Sequence, residues 1–122
     1  MKRIALLSVP DPRFPHPSDP GYEANRVDYR LLIENAVRVP LNRETGASIE
    51  EMRKGVRILD ALDAARDDVL SLEDADWEFL KQKVDKLPWA GTDRRFVQFY
   101  DDVMGATDAV RDATRIDGAV AS

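Results

Sequence analysis

Five of the seven prolines in this chain fall within residues 10–20, at Pro10, Pro12, Pro15, Pro17 and Pro20. Each fixes φ and lacks an N–H, so neither a helix nor a central strand can run through residues 10–25, PDPRFPHPSDPGYEAN. Locally this predicts an extended or polyproline-like arm, with Pro12-x-x-Pro15 and Pro17-x-x-Pro20 spacing. Two roles fit such an arm. It is a docking segment laid on a partner or a neighbouring subunit, with Phe14 and Tyr22 as anchors, or a surface connection whose aromatics fold back on their own core. His16 is the only histidine, and with no second His or Cys nearby it is a poor metal ligand or catalytic base.

Before the arm, residues 3–9 (RIALLSV) are too short for a stable helix and read as a buried strand. Their apolar run is about six residues, below the roughly 7–15 of a signal-peptide core. No run approaches the roughly 20 apolar residues of a bilayer span. Without cysteine there is no disulfide, thiolate or Cys-ligated metal chemistry. A chain of 122 residues is expected to form one domain. Residues 1–105 are assigned to it, arm included, and residues 106–122 to a weakly helical or disordered tail. Residues 1–60 carry 10 basic and 9 acidic side chains, residues 61–122 carry 8 and 14. The acidic half disfavours general nucleic-acid or anionic-membrane binding.

After the arm, residues 26–39 place Tyr29, Leu32, Ile33, Ala36 and Val37 at helical spacing, with Asn25 as cap and Pro40 as stop. Ser48-x-x-Glu51 is a capping box. It opens a helix whose apolar face is Ile49, Met52, Val56, Leu59 and Leu62, fading near Ala65-Arg66. Gly55 in its interior suits close approach of another element. Asp67-Asp68 is a turn, and residues 69–72 are a short strand that can pair with residues 3–9. A helix from Glu73 or Asp74 carries Trp77, Leu80, Val84 and Leu87 and ends at Pro88. Thr92 is read as the cap of a last helix, through Met104, with Phe96, Phe99, Tyr100 and Val103 on one face and Gly105 as its stop.

Chemical signatures are few. No glycine-rich phosphate loop, nucleophile elbow or HExxH pattern is present. The acidic run Asp67, Asp68, Glu73, Asp74, Asp76 and Glu78 fails the calcium-loop pattern and reads first as a solvated helix start. Arg94 and Arg95, with Lys81, Lys83 and Lys86, form either a small positive patch for a phosphate or acidic partner, or a solvated face. Trp89, in the turn after Pro88, is either core or an exposed contact residue of the kind enriched at interfaces. No residue is assigned to catalysis, to a cofactor or to a metal ion. Phe14, Tyr22, Trp89, Arg94 and Arg95 are the candidate partner-binding residues.

The stretch EEMRKGVRILDALDAARDDVLSLEDADWEFLKQKVDKLPW, followed by RRFVQFYDDV, resembles small proteins encoded by tailed phages and prophages. DALDAA (60–65) closes a charged helix, LSLED (70–74) is a short strand, LKQKV (80–84) lies in the next helix, and an aromatic helix follows. The resemblance covers about residues 27–104. It implies a phage setting and carries over no site residue. The expected fold is α+β and mostly helical, about four helices with one two-stranded element from residues 3–9 and 68–72. The expected role is a non-enzymatic accessory protein in virion or tail assembly, a homo-oligomer in contact with phage or host proteins, in the host cytoplasm or the virion. The alternative is an acidic host-takeover or anti-defence inhibitor that occupies a basic site, using Asp67, Asp68, Asp74 and Asp76.

Overall fold

The apolar run before the prolines does not remain one strand. In the computed structural model, which describes residues 1–89 and 91–108, it splits into Lys2–Ala5 (β1) and Ser8–Val9 (β2). Val27–Asp28 (β3) pairs antiparallel with β2, and Val69–Leu72 (β4) pairs antiparallel with β1, Lys2 opposite Leu72 and Ala5 opposite Val69. The expected two-stranded element is therefore joined by a second. The cause is backbone accounting. Beyond Val69 the partner strand turns away through Asp67 and Asp68, both at positive φ (56° and 55°). The Leu6 amide takes the Asp68 carbonyl at 2.7 Å, and the chain must then find other partners for its next peptide groups. Those partners lie just after the arm, where the Tyr29 amide bonds the Leu7 carbonyl.

The arm is a chain of turns and not an extended segment. The Phe14 amide bonds the Asp11 carbonyl, Asp19 bonds His16, and Tyr22 bonds Asp19, so Pro12, Pro17 and Pro20 each stand second in a four-residue turn. Proline's fixed φ is the one that position requires. Past the arm's last proline, and within the stretch expected to hold no helix, residues Tyr22–Asn25 form one short helix (α1).

Four longer helices complete the described residues: Tyr29–Arg38 (α2), Ile49–Asp63 (α3), Asp74–Asp85 (α4) and Arg94–Met104 (α5). The fold is α+β and mostly helical. Two expected start signals shift. Asp28, and not Asn25, caps α2 by accepting from the Arg30 amide, because Val27 and Asp28 are first drawn into β3. Asp93, and not Thr92, caps α5 through the Arg95 amide. Glu73 stands at the cap position of α4 without a side-chain bond. Ser48 caps α3 as expected, but Glu51 does not reach back to close the box.

Alternation along β1 and β4 sends Ile4, Leu70 and Leu72 inward, where the inner faces of α2, α4 and α5 complete one core. Tyr29 is fully buried, its ring edge-on to Phe99 at 5.0 Å and its hydroxyl donating to the Asp102 carboxylate at 2.7 Å. Ala106 is buried and the Arg3 amide bonds the Thr107 carbonyl, so the folded part passes the expected boundary at residue 105. The rest of the expected tail, from residue 109, lies outside the described residues.

The largest departure concerns α3. Its buried line is Gly55, Ile58 and Leu62, while Ile49, Met52 and Val56 are exposed by 66%, 52% and 51%. The helix is turned roughly a quarter turn from the roll its apolar stripe predicts. Gly55 sets that roll. A Cβ there would come within 3.1 Å of Val37 Cγ1, so only glycine lets α2 lie this close without displacement.

Candidate functional site

The residues expected to contact a partner are mostly committed to the fold itself. Phe14 folds back over Gly21, its ring 2.8 Å from where a Cβ would stand, and both Phe14 and Tyr22 are half-buried. Trp89 is half-buried and packs on Phe96 at 4.9 Å and on Phe99 at 6.1 Å. With Thr92, Val97 and Tyr100, the Trp89 and Phe96 rings border an open depression of about 310 Å³.

Arg94 and Arg95 part company. Arg94 is exposed, whereas Arg95 points inward at 16% side-chain exposure. The Arg95 guanidinium donates to the Val9 carbonyl at 3.3 Å, the Asn25 carbonyl at 2.8 Å and both carboxylate oxygens of Asp93. Val9 and Asn25 flank the arm, so one guanidinium fastens both of its feet. The planar fork of arginine suits such multiple acceptors. At the arm's start Asp11 is buried and receives the Arg13 amide and guanidinium, which hold its carboxyl down to about 2 from the ordinary 3.8. Arg95 likewise lowers the Asp93 carboxyl. A local signal existed: Asp11-x-Arg13, Asp28-x-Arg30 and Asp93-x-Arg95 all use an aspartate to accept the amide two residues on.

The expected positive patch is not assembled. Lys81 lies over the Trp77 ring at 3.6 Å and pairs with Glu78. Lys83 is buried, its Nζ 2.6 Å from both the Glu51 carboxylate and the Val39 carbonyl. That pair explains why the capping box stays half-formed, and it holds the Glu51 carboxyl below its ordinary range. The acidic run is divided too: Asp67 and Asp68 are exposed in their turn, while Asp76 is buried against Arg57 at 3.2 Å.

What the structure gathers instead is the uncovered flank of α3. Ile49, Met52 and Val56 are three of the six large apolar side chains most exposed among the described residues. They form a ridge at i, i+3 and i+7, continued by half-buried Leu59. On one side lies a groove of about 310 Å³ between α2 and α3, lined by Val37, Met52, Gly55, Val56 and Leu59 among others. On the other lies a shelf of about 430 Å³ formed by Ile49, Glu50, Arg53, Lys54 and Arg57. The stripe was visible in the sequence, but its exposure was not. Among the described residues no group of three or more His, Asp or Glu side chains is placed to hold a metal ion. No described helix is long and apolar enough to cross a membrane.

Comparison of the chain with protein-family models, with curated proteins and with solved structures finds no match. The geometry of the α3 flank thus stands by itself. An apolar ridge with an adjoining groove excludes water wherever another surface meets it.

Proposed function

We propose that this protein is a non-enzymatic accessory protein of a tailed phage or prophage that works through protein–protein contacts in virion or tail assembly. The observation that carries this reading is the uncovered Ile49–Met52–Val56 ridge. The fold has the material to hide such a stripe, since the same helix buries Ile58 and Leu62 completely. Leaving three large apolar groups on one flank is a solubility liability that a partner would remove. The phage setting comes from the resemblance over about residues 27–104. The arm, with both feet held by Arg95, offers a second, more polar surface for neighbouring subunits.

The test is co-expression with the structural proteins of a tailed phage that encodes a protein of this type, followed by size exclusion with light scattering. The expected result is a complex of defined mass with copies of itself or with a named structural protein. A strict monomer that co-elutes with none of them overturns the proposal.

A further inference from the structure

Resting on the protein-binding reading, we infer that the α2–α3 groove and the α3 ridge take one kind of occupant: an amphipathic helix of another protein, its apolar stripe flanked by carboxylates. Three observations converge on it.

The first is shape. The helices α2 and α3 run antiparallel, because Arg30 reaches the Leu62 carbonyl, Val37 sits on Gly55, and the Leu41 amide bonds Glu51. Two antiparallel helices present a straight groove beside a ridge of i, i+3, i+7 side chains, which is the surface a third helix packs into. From Ile49 to Leu59 the ridge rises about 15 Å, matching roughly three turns of a partner helix. Met52 at its centre has an unbranched, polarisable side chain that adapts to the surface opposite.

The second is charge. The groove and the shelf are lined by Arg38, Arg53, Lys54, Arg57 and Lys83 against only Glu50 and Glu51, in a chain whose net charge is -5. Lys83 and Glu51 neutralise each other internally. Arg38 and Arg57 remain 65% and 61% exposed although each touches a carboxylate. Arg53 and Lys54 form no ion pair among the described residues. A local excess of cations around an apolar ridge steers and aligns an acidic helix.

The third is exclusion. An isologous contact between two copies through this flank would bring the cations of one copy, Arg53 and Lys54 among them, toward the same cations of the other, a like-charge arrangement that opposes pairing. Nucleic acid would gain from the few cations but would leave the apolar ridge uncovered, and the rest of the chain repels it.

The experiment measures binding of the full chain to two labelled synthetic peptides of about fifteen residues, helical and with one shared leucine stripe. One peptide has glutamates on its flanks, the other lysines. The expected result is about tenfold or greater preference for the glutamate peptide, weakening as salt is raised. Met52→Asp and Val56→Asp each lower its affinity about tenfold while the melting temperature holds, since both side chains are half exposed. The Arg53→Glu, Lys54→Glu pair reverses the preference toward the lysine peptide. Equal binding of both peptides, binding of neither up to millimolar concentration, or affinity unchanged by Val56→Asp overturns the inference. So does self-association of the chain that Val56→Asp abolishes, which would assign the flank to a second copy. Failure here with the co-expressed complex intact removes the occupant and leaves the proposed function standing. Loss of that complex removes the proposed function itself.

Discussion

Lys83 Nζ lies 2.6 Å from Glu51 Oε2, with side-chain exposures of 3% and 13%. The pair joins α4 to the first turn of α3, and the Val39 carbonyl, next to the end of α2, is the second acceptor for the same ammonium. Breaking a buried pair from one side strands a charge. Glu51→Ala is therefore expected to cost about 3–5 kcal/mol, because Lys83 keeps only one neutral acceptor. Lys83→Met should cost less, since Glu51 retains the Leu41 amide and some access to water. The double variant Glu51→Leu, Lys83→Met recovers part of the loss. Urea denaturation of the three variants checks the order.

Three carboxyls are more acidic in the folded chain than in the unfolded one: Asp11 held by Arg13, Glu51 by Lys83, and Asp93 by Arg95. Each contributes stability that is complete above its ordinary value and is lost as pH falls through its folded value. Thermal stability should thus be level above about pH 4.5 and decline from there toward pH 2. At the other extreme, burial and the Asp102 carboxylate raise the Tyr29 hydroxyl above its ordinary 10.0. Its contribution is complete below pH 10 and is lost as pH rises beyond it, and Tyr29→Phe should flatten that alkaline decline. Melting curves across the pH range decide both.

Arg95 is the clasp of the arm. Its removal frees two carbonyls and the Asp93 carboxylate, so Arg95→Ala should cost about 2–3 kcal/mol. Arg95→Lys should not restore it, because an ammonium cannot span Val9, Asn25 and Asp93 together. Hydrogen exchange would show the loss concentrated at amides of the arm turns, Phe14, Asp19 and Tyr22. Uniform loss across the helices would contradict the clasp.

Gly55 sets the roll of α3. Alanine there gains about 1 kcal/mol of helix propensity but pushes Val37 by a few tenths of an ångström, so Gly55→Ala should be nearly neutral. Gly55→Val should cost about 1–3 kcal/mol, since the added methyls meet the same neighbour. Comparable stability of the two variants would show that α2 yields freely.

Much of this architecture could be read from spacing and caps. Ser48, the pairing of the strand before the arm with residues 69–72, and the aromatic face of α5 are local or strongly periodic features. The roll of α3 is neither. Ile49–Met52–Val56–Leu59 and Gly55–Ile58–Leu62 both repeat at helical spacing, and apolarity favours the wrong one. The choice rests on Val37 seating against Gly55, a contact between helices. Arg95 was legible as a charge, but its acceptors lie 70 and 86 residues away in sequence. Glu51 resembled a capping residue because Lys83, its partner 32 residues on, leaves no trace beside it.

On the proposed function, the working surface is the α3 flank, and Phe14 and Trp89 serve the fold. The decisive measurement compares two variants of the full chain in the co-expression assembly assay, each with its melting temperature. Met52→Asp combined with Val56→Asp is predicted to keep its melting temperature within a few degrees and to lose the complex. Trp89→Ala is predicted to lower the melting temperature, by removing contacts with Phe96 and Phe99, while whatever remains folded still assembles. Full assembly by the α3 variant, or loss of assembly by Trp89→Ala at unchanged stability, would contradict a working surface on α3.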